Sequence, residues 1–215
     1  MAIIIGPGID VGGGISISAG GGSPDPATNT GGFSLSVIAG LPQNLYPAVN
    51  VFDGTTLAKF IVNTASTYGT PAGFTFLNNW YWSDYDPNEV NVYQTTNPDD
   101  TAQALVTANN AVRGNIAIAP STKRMFSVTH TTWSGSVSND GVGVGSASTS
   151  TVNGDYLGST NQAVGIYDDG SVWTNSTEIY SGNAIFETNG QIIDVAVDTV
   201  NYKIWYRVAG GAWQG

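Results

Sequence analysis

The chain has 215 residues, among them 28 Gly, 9 Pro and no Cys, and its 6 Lys and Arg stand against 16 Asp and Glu for a formal net charge of −10. Charged residues make up 10% of it, against about 25% in an ordinary soluble domain, which excludes a helical protein whose solvent face is paved with Glu and Lys. The negative excess repels phosphate backbones and anionic lipid, so no nucleic acid is expected as a partner. Without Cys there is no disulfide framework and no thiolate metal site.

The start, MAIII, is apolar but is broken by Gly6, Pro7 and Gly8 and carries no basic residue, so it reads neither as a signal peptide nor as a membrane span. No other stretch approaches ~18 uninterrupted apolar residues, and no membrane insertion is expected. Residues 6–11 (GPGIDV) and 12–17 (GGGISI) repeat the pattern Gly-x-Gly-Ile-x, closing on a β-branched or apolar residue in the same register as the preceding III. Apolar side chains therefore recur at Ile3, Ile5, Ile9, Val11, Ile15 and Ile17, in pairs that share one face of a short strand. Such a strip cannot bury its isoleucines alone. It is either a flexible Gly-rich leader or a segment ordered by docking on a partner or on copies of itself. In the second case these six residues mark the oligomerisation surface of residues 1–17, and a trimer is expected because glycine lets three strands approach closely. Residues 18–32, SAGGGSPDPATNTGG, have no apolar period and read as a linker.

Residues 33–100 read as a small intermediate β region. In FSLSVIAG, Phe33, Leu35 and Val37 alternate with Ser34 and Ser36, the pattern of a half-buried strand. Further strands are predicted over Pro47 to Phe52, Leu57 to Thr64, Phe74 to Leu77 and Val90 to Thr95, separated by Gly-containing turns. Residues 100–112, DTAQALVTANNAV, alone look locally helical.

Within NNWYWSDYDPNEVNVY (residues 78–93), Trp80, Trp82 and Tyr85 can form a platform for the C–H faces of sugar rings, with Asp84 and Asp86 accepting hydroxyl hydrogen bonds. The other reading is a core plug at a junction between regions. Asp84-x-Asp86-x-x-Glu89 also places hard oxygen ligands at a spacing that suits calcium, although it lacks the regular loop of an EF-hand. No metal or other cofactor is assigned.

The remainder, residues 101–215, reads as a β-sandwich. Glycine alternation in GVGVGSAS is followed by AVGIYDDGSVWTN, where Asp168-Asp169-Gly170 separates two apolar runs and predicts a tight hairpin turn. VGIYDDGSVWTN at 164–175 and TNGQIIDVAVDTVNYKIWYRVAGGAW at 188–213 resemble the SPRY domain, a member of the concanavalin A-like group. The resemblance spans about residues 113–215. It departs at Gln191, where Asp is usual, at Asp194, where Gly is common, and at Gly215, where the segment supplying the closing strand does not follow. It implies an all-β, antiparallel β-sandwich of jelly-roll type, and it implies that partners are bound through loops at one end. The edge beside YKIWYRV is then expected to be closed either by part of residues 33–63 or by a neighbouring subunit.

A second resemblance, of the N-terminal Gly/Ile units joined to a Cys-free, Ser/Thr/Asn-rich β domain, is to virion structural proteins of tailed bacteriophages. It implies a fibre, knob or decoration protein, located in the virion, with other virion proteins as partners and a host-surface glycan as a secondary one. A soluble glycan- or protein-binding, lectin-like module is the alternative.

An enzyme is not expected. Sandwich glucanases carry Glu-x-Asp-x-x-Glu, and none of Glu89, Glu178 and Glu187 stands in that pattern. Asp194 and Asp198 share a strand face, but the SPRY resemblance gives Asp198 a structural role at a strand end. His130, the only histidine, has no Gly-x-Ser-x-Gly elbow beside it and cannot build a multi-histidine metal site. A structural histidine, on one strand face with Phe126 and Val128, is the expectation.

Overall fold

The computed structural model describes residues 23–52, 59–82, 92–95, 101–104, 110–135, 138–149, 155–182 and 185–215. Among them the regular elements are strands, with no helix. The first half of the chain contributes β1 (Phe33–Ser34), β2 (Leu45–Val51), β3 (Lys59–Val62), β4 (Thr75–Phe76) and β5 (Val92–Thr95). There follow β6 (Thr101–Ala104), β7 (Asn110–Arg113), β8 (Lys123–Thr132), β9 (Gly141–Ser146) and β10 (Ala163–Tyr167). β11 (Val172–Thr174), β12 (Thr177–Tyr180), β13 (Gln191–Asp198) and β14 (Lys203–Val208) complete the order.

Two sheets result. One runs β1-β14-β13-β8-β3-β6-β5 and the other β12-β11-β10-β9-β2-β7. Neighbours along both paths are antiparallel, and only β4 adds to β8 in parallel. A single large core lies between the sheets, drawing Phe60, Phe126, Val128, Val195 and Ile204 from the first and Val49, Val142, Val144, Ile166 and Val172 from the second. The expected all-β antiparallel sandwich is therefore present.

Its division into an intermediate region and a separate sandwich is not. β2 lies between β9 and β7, and β3 lies between β8 and β6, so strands from both sides of the boundary at residue 100 alternate within one pair of sheets. Strands stand where alternation over 47–52, 57–64, 74–77 and 90–95 predicts them, but the pairing partners lie far apart in sequence, where no local pattern reports them. The predicted helix over 100–112 is corrected in the same way. Its ends are β6 and β7, paired to β3 and β2, because sheet hydrogen bonds outweigh a weak Ala-rich propensity. Residues 105–109 lie outside the described residues.

The linker reading of 18–32 also gives way over its described part. Asp25 and Thr30 bridge each other across a small turn, Trp205 Nε1 donates to Thr30 O at 2.9 Å and Lys203 Nζ to Asn29 O at 3.0 Å. Gly32, at φ +92°, lies so close to Trp205 that an added Cβ would fall 2.7 Å from the indole. The turn is thus fastened to β14, and β1 then pairs with that same strand, Phe33 opposite Ile204. Leu35 N donates to Tyr202 O, and Gln214 exchanges backbone hydrogen bonds with Tyr206. Part of residues 33–63 does close this edge, as expected, but with a two-residue strand rather than the longer one the FSLSV alternation suggests. After Ser34 the chain turns, with Leu35 and Ile38 still buried.

The outer face of the first sheet is covered by the segment between β3 and β4. Buried Asp194 accepts from Arg207 Nε at 2.8 Å and from Ser127 Oγ. The same guanidinium donates to Tyr68 O at 3.0 Å and Gly69 O at 2.7 Å, and lies 4.5 Å from the Trp213 ring centre. Asp194 is therefore an anchor for the covering segment. Asp198 has the structural role expected at a strand end. It accepts from Val200 N, Asn201 N and Asn201 Nδ2 and pairs with Lys123 at 2.9 Å. Burial raises its pKa, but the lysine and these hydrogen bonds outweigh burial and hold the carboxyl below its usual value.

Candidate functional site

Of the residues the sequence marks for ligand binding, Trp80 and Trp82 are interior, each 1% exposed. Their rings meet edge to face at 4.8 Å, and Trp80 meets Phe126 at 5.5 Å. They form the core plug, not a sugar platform, since a stacking surface must be reachable from solvent. Asp84, Tyr85, Asp86 and Glu89 lie outside the described residues, as do Ile3, Ile5, Ile9, Val11, Ile15 and Ile17. Among the described residues no group of three His, Asp or Glu could hold a metal ion.

The described aromatic cleft lies elsewhere, on the outer face of the second sheet. β9 and β10 pair with Gly143 opposite Gly165, while their valines and Ile166 enter the core. Period-2 alternation thus leaves a row of glycines on the outer face. Into this depression the segment from Asp155 is laid so closely that a Cβ on Gly165 would fall 2.3 Å from Leu157 O. Tyr167 and Trp173, on the same outer face as Gly165, flank the segment, and Tyr167 OH donates to Leu157 O at 2.8 Å. Tyr156 stands edge-on to Trp173, with centroids 6.2 Å apart and planes at 89°, and lies 6.3 Å from Tyr167. Together with Ser138 these three aromatics line an open cleft of about 240 Å³.

The predicted turn at Asp168-Asp169-Gly170 adjoins the site through Ser138, which donates to Asp169. Gly170 has φ +83°, and Tyr167 N donates to Ser171 O at 2.8 Å. Asp169 Oδ1 accepts from Ser171 N at 2.9 Å, and Oδ2 accepts from Ser138 Oγ. Partial burial raises the Asp169 pKa, yet the hydrogen bonds from Ser138 and Ser171 prevail and keep it below the usual carboxylate value. Trp173 Nε1 donates to Ser171 Oγ at 2.9 Å, which fixes the indole.

Asp168 faces inward. Burial pushes its carboxyl up to about 7 against the opposing hydrogen bond from Trp133 Nε1, with the Asp140 charge adding to the rise and the Asn139 N–H opposing it. Behind it Asp140 Oδ2 meets His130 Nε2 at 3.1 Å and accepts from Ser134 N at 2.8 Å. His130 Nδ1 lies 3.0 Å from Phe186 O, and its ring stacks on Phe60 at 4.4 Å. With both nitrogens engaged and the ring fully buried, His130 is structural, on the strand face expected of it.

Comparison with protein families, with curated proteins and with solved structures found no match to this chain. What fold and site define is an antiparallel β-sandwich with an aromatic cleft beside an acidic turn. The cleft was not legible in the sequence because Tyr167 and Trp173, although both in VGIYDDGSVWTN, are joined by Ser138 and Tyr156 from elsewhere in the chain. The usable signal was the glycine alternation in GVGVG together with Gly165, which marks an outer face that accepts a chain segment.

Proposed function

We propose that the protein is a non-enzymatic structural component of a bacteriophage virion, a fibre, knob or decoration protein that attaches through residues 1–17 and displays a SPRY-like sandwich. The observation that carries this reading is the fastening of residues 25–32 to β14 by Trp205, Lys203 and the close packing of Gly32. Residues 25–32, which follow the Gly/Ile strip in sequence, are thereby tied to the sandwich edge, an arrangement that suits a displayed domain. The strip's resemblance to phage virion proteins supplies the assembly, with other virion proteins and two further copies of the chain as partners.

Burying six apolar side chains between subunits contributes roughly 1.5–3 kcal/mol each before ordering costs, enough to hold an oligomer. The double variant Ile9→Asp, Ile15→Asp should therefore sediment as a monomer while the wild type sediments as a trimer. Antibody against the sandwich should label purified particles in electron micrographs. An unchanged sedimentation profile together with unlabelled particles would overturn the reading.

The second reading, a soluble lectin-like module, is favoured by the aromatic cleft. It requires a monomer that keeps its ligand when residues 1–20 are removed.

A further inference from the structure

We propose that the cleft lined by Ser138, Tyr156, Tyr167 and Trp173 is a binding site for a single neutral sugar ring. The inference is independent of the virion reading, because none of its residues belongs to the strip and a displayed module and a free one would use the cleft alike.

Three properties select this ligand class. The first is surface chemistry. Tyr156 and Trp173 meet at 89° and form two perpendicular aromatic walls, and a pyranose offers an apolar C–H face for one wall with hydroxyls at its edge. Trp173 is held in advance by its bond to Ser171 Oγ, and Tyr167, the third lining ring, by its bond to Leu157 O. Little side-chain freedom is therefore lost on binding.

The second is size. At about 240 Å³ the cleft falls below the roughly 300–1,000 Å³ typical of sites for drug-sized ligands, which suits one ring rather than an extended chain or a folded peptide.

The third is charge. Asp169 accepts from Ser138 Oγ and from Ser171 N, so its carboxylate stands directly behind Ser138, the polar residue of the lining. Having given its hydrogen to Asp169, Ser138 Oγ is left as an acceptor for a sugar hydroxyl, which is a donor. The Asp169 charge beside Ser138 repels a carboxylated sugar.

Saturation-transfer NMR on the full-length protein tests the assignment, with methyl glucoside, methyl galactoside, methyl mannoside and N-acetylglucosamine as neutral probes and glucuronate as the anionic one. At least one neutral probe should receive saturation at millimolar concentration, and glucuronate should receive none. Trp173→Leu should weaken that binding at least about tenfold. Should Trp173→Leu fail to fold by circular dichroism, Tyr156→Leu serves for the same loss. Asp169→Asn, which keeps an acceptor in the turn but removes the charge, should weaken the neutral probe and admit glucuronate. The proposal is overturned if no neutral probe receives saturation, if binding survives loss of the aromatic wall, or if glucuronate binds the wild type as well as the neutral sugars do. Sedimentation of the cleft variants should match the wild type, so loss of binding here is distinguishable from failure of the strip to assemble.

Discussion

Asp168 is a carboxyl that the fold keeps protonated well above its ordinary range, and this has a definite consequence for stability. Its folded-state pKa is about 7 against 3.8 for the free group, so between those values the folded chain holds a proton that the unfolded chain has released. Stability from this residue is greatest below pH 4, declines as pH rises toward 7 and is level above. Each tenfold in proton affinity is worth about 1.4 kcal/mol, so the decline amounts to a few kcal/mol. Asp169 and Asp198 act oppositely: their lowered values give stability that is present above the free-acid value and lost as pH falls below it. Urea midpoints measured from pH 4 to 8 should therefore fall with rising pH, and Asp168→Asn should flatten the profile. A profile that rises over that interval in the wild type would contradict this account. The facing groups are Asp140 and Asp169, with His130 behind Asp140, and only Trp133 Nε1 and Asn139 N oppose the rise.

β1 has two residues yet occupies the position that decides whether the first sheet has an open edge. An uncovered β14 would present a row of free N–H and C=O groups. Phe33 holds the cover in place because its ring is buried against Tyr180 at 4.9 Å and stacks near Tyr206 at 6.2 Å. Phe33→Ala should cost about 3–5 kcal/mol and raise hydrogen exchange at the amides of residues 203–208, which are slow in the wild type. Exchange at the rate of a frayed terminus in the wild type would mean that the edge is open. The hairpin of β10 and β11 shows the converse case, in which an element was legible in full. Asp-Asp-Gly between apolar runs specifies the turn locally, since Gly170 supplies the positive φ and Asp169 caps Ser171 N.

At the scale of the molecule, interleaving the two halves of the chain makes one cooperative unit. β2 contributes Val49 and Val51 to the core that also holds Val142 and Val195, and without β2 and β3 both sheets would be split. Calorimetry should show a single unfolding transition, with van't Hoff and calorimetric enthalpies in agreement. A polypeptide of residues 101–215 alone should lack cooperative unfolding. Two resolved transitions would instead restore the boundary at residue 100.

Strand character of most elements, the turn at 168–170, the structural histidine and the need to close β14 were determined by the sequence itself. Each depends on alternation, on a local φ requirement or on the accounting of backbone hydrogen bonds, and these act over a few residues or follow from general rules. Tertiary structure alone decided the rest, including closure of β14 by residues 33–34 rather than by a neighbouring subunit. The aromatic pair Trp80 and Trp82 is chemically as fit for a sugar face as Tyr156 and Trp173, and composition cannot say which pair meets solvent. That choice was made by long-range packing: Phe126 and Gly114 close over Trp80, while the glycines of β9 and β10 seat a distant segment that holds Tyr156 beside Trp173 at the surface.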